Sequence, residues 1–194
     1  MLSKVRHYVP KTELKSIYHA IFASHLRYGC QIWALENTTQ VKRIENLQNR
    51  AMRIINFEEY RAPSDPIYFE HQLLKLCDMV RLNNCLLVHD FLTNVLPDCF
   101  VNYFEKLNLK YTTLQTRNSE LTNLFVPSVN KTSTGIHSIT FRSIQGWNEV
   151  CKTIAKSLTK RMSNKQYLKL DLSKLSRIEF KKIITGMCLS ELIK

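Results

Sequence analysis

Apolar side chains in the first part of the chain recur at spacings of three and four, the period of an amphipathic helix. The first such segment follows Pro10, and the hydroxyl of Thr12 is placed to cap its free backbone N–H groups. We interpret His25, which lies on this apolar stripe, as a core histidine with one satisfied ring nitrogen rather than as a catalytic group. The side chains predicted to form the buried face are Leu14, Ile17, Tyr18, Ile21, Phe22, His25 and Tyr28.

A second helix is predicted after a short break, in which Gly29 permits close backbone approach or a bend and Trp33 anchors the end of the first helix. Asn37 or Thr38 would cap this second helix. Because few residues join the two helices, we expect them to pack as an antiparallel pair. The predicted buried stripe of the second helix is Val41, Ile44, Leu47, Ala51, Ile54 and Ile55.

The face of the second helix opposite this stripe carries four cations. At about 100° per residue, Lys42, Arg43, Arg50 and Arg53 fall on an arc of roughly 100°. We therefore take these four residues as the candidate nucleic-acid-binding set. The alternative interpretation is a solvated helix face with no ligand.

The middle of the chain carries two further helical signals. Asp65 followed by Pro66 is typical of a helix start and predicts a short helix to about Gln72. A longer helix is predicted from about Asp78 to Asn94, before Pro97. Its predicted core positions are Leu82, Leu86, Leu87 and Phe91.

The second half is less regular, and residues 108–134 are polar with little apolar periodicity. Leu121–Val126 and Ser138–Arg142 are predicted to pair as a small hairpin. Ser176 and Glu179 form a capping box that begins a terminal amphipathic helix. The apolar positions predicted for that helix are Ile178, Ile183, Ile184, Met187, Leu189 and Leu192.

Together these elements predict a mainly α fold, with a small β-hairpin or extended segment and a C-terminal amphipathic helix. The scarcity of glycine and proline, with four and five residues, favours helices over a loop-rich sandwich or barrel. We predict three regions: a helical domain over residues 1–107, a loop or extended segment with the hairpin over 108–150, and a basic helical tail over 151–194.

Positive charge is unevenly distributed along the chain, whose formal net charge is +12. Residues 1–61 carry a net charge of +5, residues 62–110 of −2, and residues 111–194 of +9. Two cationic surfaces around a neutral middle favour an extended polyanion as partner. The basic face of the terminal helix could lie on nucleic acid or on an anionic membrane surface, or simply be solvated.

The composition also indicates the cellular compartment in which we expect the chain. No stretch approaches the roughly 18 to 20 apolar residues that span a bilayer, and the N-terminal residues contain no apolar signal core, so we expect no membrane span and no secretory leader. None of the six cysteines lies two to four residues from another, which is the spacing of many zinc sites. We expect reduced, structural thiols in an intracellular protein of the nucleus or cytoplasm.

Recognisable catalytic patterns are missing from the sequence. Nucleotidyl transfer needs two divalent metals held by closely placed carboxylates, and no two aspartates are adjacent in this chain. There is no glycine-rich phosphate loop and no local signature of a nucleophile. We therefore predict that the chain is not an enzyme by itself and needs no cofactor or metal.

Two segments resemble the reverse transcriptases of non-LTR retrotransposons, the LINE type close to the jockey and CR1 groups. Ser24–Gly29 followed by Trp33 is similar to the family's "serine-histidine-leucine-x-tyrosine-glycine, tryptophan", and Leu47–Ile54 to its "leucine-glutamine-x-arginine-alanine-x-arginine-isoleucine". Shorter similarities continue to Trp147–Asn148, after which Glu149–Val150 replaces the family's leucine-proline. Because of that departure, the resemblance does not predict the exact conformation of the segment after Val150.

In that family this region lies just downstream of the catalytic palm and forms the thumb, a helical element that grips the template–primer duplex. The resemblance therefore implies a thumb-like bundle and C-terminal region that lacks the palm with its Tyr-x-Asp-Asp turn. It implies a module that binds RNA or DNA duplex without sequence preference, and it allows the palm domain of a polymerase as a second partner. The alternatives are a helical protein-interaction module and a retrotransposon remnant without function.

Overall fold

The computed structural model describes residues 2–34, 39–100, 102–104, 124, 138–161 and 172–191. The chain is mainly α-helical, as predicted. It divides into two compact units, residues 1–80 with 185–194 and residues 81–184. The predicted caps Asn37 and Thr38 and most of the polar segment 108–134 lie outside the described residues, and the division into three regions stays a prediction. Within the described part of the chain, no helix has the length and apolar character needed to cross a membrane.

The first unit contains several short helices, one long helix and the beginning of a second long helix, which continues into the second unit. The helices are α1 (Leu2–Val5), α2 (Lys11–Ile17), a π-helix (Tyr18–Ala23), α3 (Ser24–Arg27), α4 (Cys30–Trp33), α5 (Thr39–Asn56), α6 (Asp65–Glu70) and α7 (Leu76–Leu92).

The π-helix changes which face of the N-terminal segment is buried. At its end the backbone N–H of Ser24 donates to the carbonyl of His19, five residues back, so each residue turns the chain less than in an α-helix. The predicted stripe is wrong beyond this point, because Ile21, His25 and Tyr28 are exposed and His25 is not a core histidine. The buried side chains are Leu14, Tyr18, Ala23, Leu26 and Cys30, with a step of five across the π-helix.

The predicted cap at the start of the first helix is also wrong. α2 begins at Lys11 after Pro10, and no side chain caps its N-terminus. Thr12 already lies inside the first turn, and its Oγ1 donates to Oε2 of Glu13 at 2.5 Å. The predicted bend at Gly29 is confirmed, since this residue has a φ of 60°, in the left-handed region.

The N-terminal segment and α5 pack antiparallel, as predicted. At one end of the pair, Nζ of Lys11 donates to Oδ1 of Asn56 at 2.9 Å. At the other end, Leu26 and Val41 belong to one buried cluster. Contacts that join the start of one segment to the end of the next define an antiparallel hairpin of helices.

α6 begins at Asp65 with Pro66 in its first turn, which confirms the predicted helix start, although it ends at Glu70 rather than Gln72. α7 begins at Leu76, two residues earlier than predicted, because the backbone N–H of Leu76 donates to Oε1 of Gln48 at 3.0 Å. A side chain from another helix thus caps α7. Of its predicted core residues, Leu82 and Leu86 are buried, whereas Leu87 and Phe91 are only partly buried.

The second unit contains the rest of α7, two 3₁₀ turns and two long helices. The turns are Asp98–Phe100 and Leu172–Lys174, and the helices are α8 (Ile139–Arg161) and α9 (Arg177–Glu191), whose last residues are counted with the first unit. Its core includes Trp147 of α8 and Phe180 of α9, whose ring centroids lie 5.3 Å apart. His89 of α7 stacks on Phe180 at a centroid distance of 4.7 Å.

The predicted strand Ser138–Arg142 is wrong, because these residues begin α8. Oγ of Ser138 accepts a hydrogen bond from the backbone N–H of Phe141 at 3.2 Å, which is a helix cap. The other predicted strand lies outside the described residues except for Leu124. The amide of Asn148 accepts from the N–H of Leu124 at 3.1 Å and donates to its carbonyl at 3.0 Å, so one side chain satisfies both backbone groups.

The capping box before α9 is confirmed. Oε2 of Glu179 accepts from the backbone N–H of Ser176 at 3.0 Å, and Oγ of Ser176 accepts from the N–H of Glu179 at 3.3 Å. The apolar face predicted for this helix is wrong at Ile178, which is 70% exposed. Ile184, which was predicted, is buried, and it forms the buried face together with Phe180 and Cys188 at spacings of four.

Candidate nucleic-acid interface

The cationic face of α5 lies opposite the side of the helix that packs into the core. Lys42, Arg43 and Arg50 are exposed, and Arg53 is partly buried. At about 100° per residue, the centres of the cationic and the buried arcs are roughly 170° apart. The buried residues of α5 are Val41, Gln48, Ala51, Met52 and Ile55.

This buried arc differs from the one predicted from the sequence. Leu47 was predicted to be buried but is 54% exposed, whereas its polar neighbour Gln48 is buried. Because Gln48 rather than Leu47 faces the core, the buried side of α5 is rotated away from Leu47 and lies more nearly opposite the cations. The predicted cationic arc is therefore separated from the core by the helix itself, and three of its four members are open to solvent.

Gln48 holds α5 in this orientation through three hydrogen bonds. Its Nε2 donates to Oη of Tyr18 at 3.1 Å and to the carbonyl of Leu74 at 3.0 Å. Its Oε1 accepts from the N–H of Leu76, as described above. A buried amide with partners at both ends fixes its helix more specifically than an apolar side chain would. Sequence reasoning gave Gln48 no role, although it belongs to the leucine-glutamine motif.

A second pair of polar side chains joins α5 to α6. Oη of the buried Tyr68 donates to Oδ1 of Asn49 at 3.0 Å. Burial raises the pKa of Tyr68 well above its usual range, and the nearby Tyr18 adds to this effect. The tyrosine therefore stays a neutral donor, and the helix that carries the cations is fixed from two sides.

Arg53 differs from the other three cations. Its Nε donates to the carbonyl of Ala62 at 2.6 Å, which ties the last turn of α5 to the loop before α6. Its charge also lies at the C-terminal end of the helix, where a cation is favourable. Arg53 consequently has a structural role whether or not it binds a ligand, and the open cationic surface consists of Lys42, Arg43 and Arg50.

No ion pair joins these three open cations to another residue that the structure describes. Another cation of the first unit, Lys75, is paired with Asp65 at 2.8 Å. The charges of Lys42, Arg43 and Arg50 are thus available to an external anion, because no ion pair with a described residue has to be broken first.

Positive potential extends to the N-terminal segment of the same unit. Burial lowers the pKa of His19, and the nearby charges of Arg27 and Lys15 lower it further. Nζ of Lys15 is engaged with the carbonyl of His71 at 2.8 Å, whereas Arg27 is exposed. This segment therefore adds to the cationic character that α5 gives the unit.

The second cationic surface predicted from the sequence is partly described. Lys181 and Lys182 of α9 are exposed. Arg177, by contrast, donates from Nε to Oδ1 of Asp90 at 3.0 Å, in an ion pair within the second unit. Residues 162–170, which hold other cations of this tail, lie outside the described residues. The described part of the tail thus offers two adjacent open lysines.

Among the described residues, no group of three or more histidine, cysteine, aspartate or glutamate side chains comes together in a way that could hold a metal ion. The described cysteines all carry free thiols. Burial raises the pKa of Cys151 to about 12, which keeps that thiol protonated at neutral pH.

Part of the chain is similar to a curated polymerase. It is 32% identical over 65 residues to "Probable RNA-directed DNA polymerase from transposon X-element" of Drosophila melanogaster. The match covers 34% of this chain and 7% of that protein. No family model and no solved structure matches the chain. A region of this protein is thus related in sequence to a transposon's RNA-directed DNA polymerase, most of whose length lies outside the match.

Proposed function

We propose that this chain is a thumb-like, template–primer-binding part of a non-LTR retroelement RNA-directed DNA polymerase, and that the open cations of α5 contact the phosphates of a duplex. The observation that carries the proposal is the placement of Lys42, Arg43 and Arg50 on the side of α5 away from the core, without ion-pair partners among the described residues. The sequence similarity to a transposon polymerase supports the same conclusion.

The spacing of the cations suits a nucleic-acid backbone. Lys42 and Arg50 are eight residues apart, which corresponds to about 12 Å along an α-helix. One strand of a duplex carries a phosphate about every 3.4 Å of axis, so this length covers three to four phosphates. Each cation can therefore meet a different phosphate, and the arginines can donate two hydrogen bonds to one phosphate group.

Such contacts position a duplex without reading its sequence, since phosphates carry no base identity. In the proposed role, the chain holds the template–primer duplex and a palm domain supplies the metal-binding carboxylates. The chemistry is then done elsewhere, and the contribution of α5 is affinity and register.

The salt dependence of binding to an RNA–DNA hybrid duplex tests this proposal. Each phosphate neutralised adds about 0.9 to the negative slope of log affinity against log salt for B-form DNA, and a hybrid should behave similarly. The Lys42→Ala/Arg43→Ala/Arg50→Ala variant is therefore expected to flatten the slope by up to about 2.7. Fluorescence anisotropy over a series of salt concentrations measures this, and circular dichroism checks that the fold is kept.

The chain offers a matched control in two adjacent pairs of exposed cations. Lys42→Ala/Arg43→Ala and Lys181→Ala/Lys182→Ala each remove two positive charges from an exposed helix surface. The first pair is expected to flatten the slope by up to about 1.8, and the second to leave it unchanged. The opposite result would assign the contact to the basic tail, and equal slopes for the triple variant and the parent would exclude α5 as the binding surface.

A protein-interaction module is the second candidate, and exposed apolar side chains favour it. Leu47 of α5 and Ile21 of the π-helix are both exposed. A chain with this function would bind its partner equally well at low and high salt, because apolar contacts are not screened by ions. Absence of hybrid binding at low salt would favour this alternative over the duplex-binding role.

A further inference from the structure

The turn at Gly29 exposes the side chain of Tyr28 to solvent. α3 ends as Tyr28 takes an extended conformation, Gly29 follows with a φ of 60°, and α4 begins directly afterwards. Nε1 of Trp33 donates to the carbonyl of Tyr28 at 2.9 Å. A Cβ placed on Gly29 would lie 3.9 Å from Cδ1 of Trp33, so the indole ring packs against the turn. Trp33 therefore stabilises the backbone conformation of Tyr28, and with it the direction of the Cα–Cβ bond of Tyr28.

The side chain of Tyr28 is left almost fully accessible, at 86% exposed. It has no ring contact with another aromatic group among the described residues. An exposed aromatic ring on a fixed backbone is pre-organised for stacking, because little conformational freedom is lost when a flat ligand binds.

The exposed side chain directly before Tyr28 in the chain is cationic. Residues 24–34 contain no acidic side chain. Arg27, its direct neighbour, is exposed and has no ion-pair partner among the described residues. Burial raises the pKa of Tyr18 and lowers that of His19, and the charge of Arg27 acts to lower both pKa values. Tyr28 thus offers an aromatic face within a field that attracts polyanions.

The turn is also connected to the cationic helix. Leu26 and Cys30, on either side of the turn, share a buried cluster with Val41, the residue directly before Lys42 and Arg43. Only residues 34–38 separate α4 from α5. The aromatic turn and the N-terminal end of the cationic face therefore lie at the same end of the helix pair.

We infer that Tyr28 is a stacking platform for an unpaired nucleobase next to the duplex held by α5, with Arg27 binding the adjoining phosphate. This inference rests on the proposed function and adds a single-stranded binding site to it. A base fits this surface better than an apolar protein segment does, because an aromatic face beside the exposed guanidinium of Arg27 matches a base on a phosphate backbone.

The test compares a blunt hybrid duplex with the same duplex carrying a single-stranded overhang, using fluorescence anisotropy on the full chain. Tyr28→Ala is expected to weaken binding of the overhang substrate by about fivefold to a hundredfold, the range for losing one base–aromatic stack. It should leave the salt slope unchanged, since the ring neutralises no phosphate, and should leave blunt-duplex binding unchanged. Tyr28→Phe should retain the parent's affinity, because the ring persists.

Tyr8→Ala is the matched control, because Tyr8 belongs to the same unit and is 87% exposed. It should bind both substrates as the parent does. Arg27→Ala should reduce the salt slope for the overhang substrate by about 0.7, the value for one phosphate of a single strand. Together these variants separate stacking from charge.

The possible results distinguish the inference from the proposed function. If Tyr28→Ala and the parent bind the overhang equally while the α5 variant still loses salt dependence, the stacking site is wrong and the duplex role stands. If the parent binds neither substrate, both are wrong. If Tyr28→Ala instead abolishes a concentration-dependent dimer seen by sedimentation, the turn is an interface between two copies of the chain, and the inference is overturned.

Discussion

The side-chain amide of Gln48 donates a hydrogen bond to the hydroxyl of Tyr18 at 3.1 Å, and both residues are buried. This contact joins α5 to the π-helix through two residues that are 30 positions apart in the sequence. The same amide caps α7 through Leu76. One polar side chain therefore fixes three helices of the first unit, and the orientation of the cationic face depends on it.

We predict that Gln48→Ala destabilises the protein by about 2 to 3 kcal/mol, because buried partners of the amide lose their hydrogen bonds and cannot reach water. Urea denaturation followed by circular dichroism measures the change in the free energy of unfolding. Gln40→Ala, an exposed glutamine of the same helix, is the control and should change it by less than about 0.5 kcal/mol. Equal effects of the two substitutions would contradict the role given to Gln48.

Two glycines are expected to respond in opposite directions to substitution by alanine. Gly29→Ala should cost about 1 to 2 kcal/mol, since its φ of 60° disfavours a Cβ although the space itself is adequate. Gly186→Ala should stabilise by about 0.5 to 1 kcal/mol, because this residue is inside α9 and an added Cβ meets nothing within 4 Å. Thermal unfolding of both variants checks this, and a stabilising Gly29→Ala would exclude the left-handed turn.

The core of the second unit is predicted to depend on Phe180 and not on Ile178. Phe180→Ala should destabilise by about 3 to 5 kcal/mol, since a fully buried ring between His89 and Trp147 is lost. Ile178→Ala should have an effect within about 0.5 kcal/mol because its side chain is mostly exposed. Chemical denaturation of the two variants decides between the observed face of α9 and the one predicted from the sequence.

The capping box before α9 predicts a dependence of stability on pH. The hydrogen bonds from Ser176 hold the pKa of Glu179 below its ordinary value of 4.5. A carboxylate with a lowered pKa stabilises the folded state above its unfolded pKa, and this stabilisation is lost as the pH falls through the lower, folded value. The parent should therefore lose more stability between pH 5 and pH 3 than Glu179→Gln does. Parallel pH profiles of the two proteins would show that the ionised box contributes nothing.

Local chemistry in the sequence was sufficient to predict several features. The capping box at Ser176 and Glu179 closes within three residues, and the helix start at Asp65 and Pro66 needs only the fixed φ of proline and its missing N–H. The bend at Gly29 and the mainly helical fold follow in the same way from residue type and apolar spacing. Features of this kind are encoded locally because their hydrogen bonds and steric limits involve near neighbours in the chain.

Which apolar residues are buried was decided only by the tertiary structure. Ile21 and Leu47 have the spacing of core residues but lie in the open, whereas Ala23 and Gln48 are inside. The π-helix adds a residue to one turn and so rotates everything after it, and it is Tyr18 and Gln48, from different helices, that meet across the pair. Periodicity defines the faces of a helix, but the face that is buried is the one whose partners complete its packing and hydrogen bonds, and those partners lie far away in sequence.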